Sequence, residues 1–202
     1  NGGADRPAGC ATSKRVCSRM RLQKESNLML TIFNLHARVA SKEILKGVNQ
    51  WLHPDLKEGM FVTLQYLLIN LSTKRMRLAN AGHNPVIIYN SLTGAFNSIQ
   101  PKGIALGIDK GPIFNANIQL FEYAIQPGDL LVFHTDGLSE ASNARGEEYG
   151  EVRMLDAIKA LGGDHADPFL ERMLKDLEKF NGNQTQMDDI TMIAIRLEAP
   201  TE

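Results

Sequence analysis

Cysteine is scarce in this chain. Cys10 and Cys17 are the only two among 202 residues, too few for a disulfide framework. Their six-residue gap matches no common zinc spacing, and no histidine lies near them. Long apolar runs are missing too. None approaches the roughly 18 residues of a membrane span, and the first residues carry no apolar stretch of a secretory leader. Excess charge of either sign is absent: 22 Lys and Arg face 23 Asp and Glu, a net charge of −1. Such a surface has no global basic field for nucleic acid or acidic lipid. These absences predict a cytoplasmic protein that binds neither nucleic acid nor membrane. Internal repeats and low-complexity tracts are also lacking. What remains is an ordinary globular composition, 43% hydrophobic and 22% charged, in a length that suits one domain.

Residues 1–27 read differently from the rest. Asn1 to Gly9 is rich in turn formers, and Lys14, Arg15, Arg19, Arg21 and Lys24 form a basic stretch without a clear period. The stretch holds no aromatic side chain on which a base could stack. It is predicted to be a solvated or loosely docked arm. The predicted domain covers 28–202. Leu28, Ile32, Leu35 and Val39 recur at helical spacing, which predicts a helix over 28–40. Ser41 is placed to cap a second helix carrying Ile44, Leu45, Val48, Trp51 and Leu52, ended by His53-Pro54.

From Met60 the pattern becomes strand-like. Strands are predicted over 61–69, 75–81, 85–89, 95–99, 115–125, 130–134 and 190–197, with turns at 70–74, 91–94 and 126–129. Leu130 to His134 is apolar without alternation, so both its faces are predicted to be buried. Two helices are predicted between the last strands, over 148–161 and 168–180. Strand runs joined by short turns, combined with helices, predict an α+β fold with antiparallel sheet.

Two acidic turns carry the chemistry. One is Thr135-Asp136-Gly137, directly after an apolar strand; the other is Asp188-Asp189-Ile190-Thr191, directly before one. Buried strands avoid an unpaired carboxylate because it loses its hydration. Asp-Gly is also a common turn signal, so each motif taken alone reads more readily as a plain turn. If the two strands are neighbours, the carboxylates converge, and converged carboxylates favour a cation between them. Hard cations such as Mg²⁺ or Mn²⁺ take oxygen ligands. Asp136, Asp188 and Asp189 are therefore the candidate metal ligands. Gly137 and His134 are placed behind them or in the turn. His83, in Ala81-Gly82-His83-Asn84-Pro85, reads as a structural hydrogen-bonding histidine.

Four motifs in order resemble the metal-dependent (PPM-type) protein serine/threonine phosphatases, in the branch typified by stage II sporulation protein E. They are Gly59-Met60-Phe61-Val62-Thr63-Leu64, Ala79-Asn80-Ala81-Gly82-His83-Asn84-Pro85, Pro127-Gly128-Asp129-Leu130-Leu131 leading into Thr135-Asp136-Gly137, and Asp188-Asp189-Ile190-Thr191. The resemblance implies a two-sheet antiparallel β-sandwich flanked by helices. It implies two Mg²⁺ or Mn²⁺ ions, with Asp136 and Asp188 matching family ligands, and hydrolysis of phosphoserine or phosphothreonine by metal-activated water. It implies a phosphoprotein substrate such as an anti-anti-sigma-type regulator, and a homodimer is a further possible assembly. Two upstream acidic motifs of the family have no counterpart. The stretch Val16 to Leu22 carries no carboxylate, and Gly2-Gly3-Ala4-Asp5 has an inserted alanine. The family's first strands are therefore expected to be missing. Two function classes remain open: a protein phosphatase domain, and a non-catalytic phosphatase-fold module that binds another protein.

Overall fold

The chain alternates apolar residues for two faces at once, and the result is four layers. The computed structural model describes residues 15–17, 41–182, 184 and 188–198. Strands are β1 (Arg15–Cys17), β2 (Leu64–Asn70), β3 (Arg75–Ala81), β4 (Val86–Asn90), β5 (Phe96–Ile99), β6 (Leu120–Ala124), β7 (Asp129–His134) and β8 (Thr191–Arg196). Helices are α1 (Ser41–Leu52), α2 (Pro112–Asn117), α3 (Asp136–Ser139), α4 (Gly150–Leu161) and α5 (Ala166–Asn181), with a 3₁₀ turn over His53–Asp55. The predicted helix over 28–40 and most of the predicted arm lie outside the described residues. Within residues 1–27, Arg15–Cys17 form a strand.

Among the described residues, five strands form one sheet in the order β1-β8-β7-β4-β5, and three form another in the order β2-β3-β6. Every pairing is antiparallel except β1 with β8, which is parallel and joins Arg15 to Thr191 through Cys17 to Ile193. Between the sheets lie Met76 and Leu78 of β3, Val86 and Ile88 of β4 and Leu131 of β7. The opposite face of the five-stranded sheet presents Ile87, Leu130, Val132, Met192 and Ala194 to Met154, Ile158, Phe169, Leu170, Met173 and Leu177 of α4 and α5. The opposite face of the smaller sheet presents Ala79 and Ala81 to Leu45 of α1 and Phe114 of α2. Strand alternation thus builds three cores, and β7 is buried on both faces as its sequence predicts.

One predicted element divides. The expected strand over 115–125 is α2 followed by β6. Pro112 sits in the first turn of α2, where its missing N–H is no loss. The Asp109 carboxylate accepts the Gly111 and Phe114 N–H groups (3.0 and 2.8 Å). Those bonds, the Phe114 one foremost, hold the Asp109 carboxyl below the usual range. Buried Asn49 of α1 fixes the same loop, donating to the Asp109 carbonyl (2.9 Å) and accepting the Gly107 N–H (2.8 Å).

Candidate functional site

β7 and β8 are antiparallel neighbours, so the end of one and the start of the other meet at one edge of the sandwich. Thr135 joins them. Its N–H donates to the Thr191 carbonyl (3.1 Å), and its hydroxyl donates to the Asp189 carbonyl (3.1 Å) while accepting the Thr191 N–H (3.0 Å). Gly137 lies directly against the second turn. A Cβ there would stand 2.7 Å from the Asp189 carbonyl oxygen and 3.5 Å from the Asp188 carbonyl carbon. The two acidic motifs, separated by some fifty residues of chain, are therefore one structure, as the antiparallel pairing of their strands requires.

Asp136, Asp188 and Asp189 are all exposed at this edge. Asp136 opens the single turn of α3, and its carboxylate accepts the Gly137 N–H (3.1 Å). The Asp188 carboxylate accepts the Asp189 N–H (2.7 Å). Carboxylate oxygens are the right donors for a hard divalent cation. Among the described residues, however, no three Asp, Glu, His or Cys side chains gather into a group able to hold a metal ion. These exposed carboxylates suit a share in one ion's coordination shell.

His134 sits on the helix-facing side of β7 and is buried, 6% exposed. Its Nδ1 lies 3.2 Å from the Thr135 carbonyl oxygen. Burial holds its imidazole below the ordinary value, against opposing pulls from the Thr135 carbonyl, Glu151 and Asp136. It is a core-edge histidine behind the acidic edge. Asp129, which the sequence places in a turn, is fully buried and structural. It accepts the Gln126 N–H (2.8 Å) and the Asn90 amide (2.7 Å), closing the loop that enters β7.

Sequence reasoning missed the junction of two other motifs at this edge. Thr63 Oγ1 and His83 Nδ1 share a hydrogen bond of 3.0 Å. Burial chiefly lowers the His83 pKa, followed by the nearby His134, while Asp136 pulls it up. His83 thus lies within electrostatic reach of the acidic edge. Both motifs are visible in the sequence, but nothing in either says that Thr63 pairs with a residue twenty positions on.

Two antiparallel sheets between helix layers, with acidic turns at one edge, define a PP2C-type phosphatase fold. Residues 17–198 match the model of the Stage II sporulation protein E (SpoIIE) family, and the chain belongs to that family. The chain is 31% identical over 143 residues to Protein IcfG of Synechocystis sp., covering 71% of this chain and 21% of that protein. It is 27% identical over 158 residues to Phosphoserine phosphatase RsbU of Bacillus subtilis, covering 76% of this chain and 44% of that one. The chain therefore spans less than half the length of either relative. Its fold is shared with the PP2C phosphatase domain and regulatory fragment of SpoIIE from Bacillus subtilis (TM-score 0.66, 19% identity, 80% of this chain and 46% of that). It is shared equally with the RsbU and RsbW domains of Rv1364c from Mycobacterium tuberculosis (TM-score 0.65, 21% identity, 82% and 44%).

Proposed function

We propose that this domain hydrolyses phosphoserine or phosphothreonine on a bacterial signalling protein of the anti-anti-sigma type, in the cytoplasm. The observation that carries the reading is the stitching of Thr135-Asp136-Gly137 to Asp188-Asp189 through the Thr135 hydroxyl. Family membership and the relative named a phosphoserine phosphatase support the reaction class. Asp136 and Asp188, with Asp189 beside them, would hold a Mg²⁺ or Mn²⁺ ion. Such an ion supplies charge neutralisation for phosphoryl oxygens and an acidified water. The chain's own part is to hold the carboxylates at a rigid strand edge. The Thr135 bridge and the Gly137 contact fix the two turns against each other, so no ordering is left for the moment of binding.

A second reading is a module of the same fold that binds its phosphoprotein without hydrolysing it. The stretch Val16 to Leu22, which carries no carboxylate where the family has an acidic motif, favours it. Titration with Mn²⁺, followed by phosphate release from a phosphoserine peptide, separates the two. The phosphatase reading expects saturable Mn²⁺ binding and slow Mn²⁺-dependent release, both abolished by Asp136→Asn with the far-ultraviolet dichroism unchanged. Mn²⁺ binding that survives Asp136→Asn intact would overturn the metal edge. Peptide binding with no release at any Mn²⁺ concentration would leave the binding module.

A further inference from the structure

His83 is held more tightly than a turn residue requires. Asn80 clasps its backbone from both sides, accepting the His83 N–H (2.9 Å) and donating to the His83 carbonyl (3.0 Å). Gln100 donates a second bond to that carbonyl (3.0 Å). Gly82, at φ 72°, lets the turn press onto the following loop, where a Cβ would stand 2.8 Å from the Ala105 nitrogen. Thr63 then fixes the ring itself through Nδ1. Three parts of the chain, Thr63, the turn over 80–82 and Gln100, therefore fix this residue, and Thr63 holds its imidazole. Its other nitrogen, Nε2, makes no hydrogen bond among the described residues. The ring is half-buried, not sealed, and its titratable neighbours are His134 and Asp136. A turn histidine with a purely structural role uses its ring to tie down chain. Here the chain ties down the ring and leaves one nitrogen open beside the candidate metal edge.

The geometry points to His83 as a phosphate-contacting residue, with Thr63 as the residue that positions it. The inference rests on the phosphatase reading of the Asp136 edge. In the tautomer in which the Thr63 hydroxyl donates to Nδ1, the ring proton sits on Nε2 and the open nitrogen is a donor. A fixed donor beside the carboxylate edge suits an oxygen of a phosphoryl group whose charge the edge alone would repel. Such hydrogen bonds to a charged acceptor are stronger than neutral ones, and a pre-oriented donor loses no rotamer freedom on binding.

The probe is inorganic phosphate, titrated in Mg²⁺ against the whole chain. Two readouts are taken: calorimetric affinity, and the His83 imidazole nitrogen signals by NMR. Phosphate is expected to shift the Nε2 signal more than the Nδ1 signal. His83→Ala should weaken phosphate about tenfold, the size of one hydrogen bond to a charged group. Thr63→Val should weaken it by a smaller factor, and Thr63→Ser, which keeps the hydroxyl, should restore it. The NMR readout needs no variant, so a folding defect in His83→Ala does not blunt the test. Phosphate that binds, loses affinity in Asp136→Asn, and leaves both the His83 signals and the His83→Ala affinity unchanged would overturn the His83 assignment alone. A chain that binds no phosphate would remove the phosphatase reading and this inference together.

Discussion

A single hydrogen on Gly137 is what lets the two acidic turns touch. Any Cβ at that position meets the Asp189 carbonyl oxygen at 2.7 Å, and backbone cannot swing aside as a side chain can. Gly137→Ala is expected to lower stability by about 2 kcal/mol, within the usual range for overpacking, and to weaken Mn²⁺ binding in the same variant. Urea unfolding beside a Mn²⁺ titration checks both. Wild-type stability in that variant would show that the turns are not in register. A second residue reports on the helix layer. Tyr149 is buried, and its hydroxyl donates to Asp176 at 2.6 Å. Burial first, then this bond and the Asp176 charge, raise the phenol above its ordinary value. The unfolded chain gives up this proton near pH 10, whereas the folded chain retains it. The phenol's contribution is complete below about pH 10 and is lost as pH rises further. Unfolding midpoints measured from pH 8 to 11 should fall, and Tyr149→Phe should flatten that fall. At this scale the sequence was informative about residue type and silent about pairing. Asp136 and Asp188 stood out because carboxylate next to an apolar strand is costly. Thr63 and His83 did not, because a threonine and a histidine at turns incur no such penalty.

Elements were legible wherever one period ruled a whole segment. β3 alternates Met76, Leu78 and Asn80 inward against exposed Arg75 and Arg77, and the sequence places it to the residue. The stretch 112–124 misleads for a physical reason. Phe114 and Ile118, one helical turn apart, and Leu120 after them, also occupy alternate positions, so a short helix end and a strand share one pattern. Pro112 and the capping Asp109 were the signals that decide for helix. Between elements, one residue acts as a tie. Arg196 of β8 donates to the carbonyls of Gly128 (3.3 Å), Gly162 (2.6 Å) and Gly163 (3.1 Å) and to the Ser91 hydroxyl (2.8 Å). It thereby holds the turn after β4, the turn before β7 and the end of α4. Arg196→Met keeps much of the stem and removes every donor. Its expected cost is about 3 kcal/mol, because several part-buried acceptors lose their partner at once. Chemical denaturation gives the value, and a loss under about 0.5 kcal/mol would mean that water replaces the guanidinium freely.

At the scale of the molecule, order should fall away from β7. Leu130, Leu131 and Val132 have no exposed surface, β4 and β8 flank the strand, and both its faces meet a core. Its amides are expected to exchange slowest with solvent, at the rate of global unfolding, and those of the edge strand β5 fastest among the strands of its sheet. Native-state hydrogen exchange measures this ranking; protection in β5 equal to that in β7 would show that another surface covers that edge.

The Thr135 bridge and the Arg196 tie share a property that concerns timing. Both reach into β8, which follows the other described strands and helices along the chain. During synthesis, β7 and Asp136 leave the ribosome with no Asp188 to meet, and the three glycine and serine turns wait for the arginine that gathers them. The acidic edge is therefore assembled only after the body of the sandwich has been made. A nascent chain halted before Asp188 would carry Asp136 without the second acidic turn, so whatever chemistry this edge performs begins only once β8 is in place.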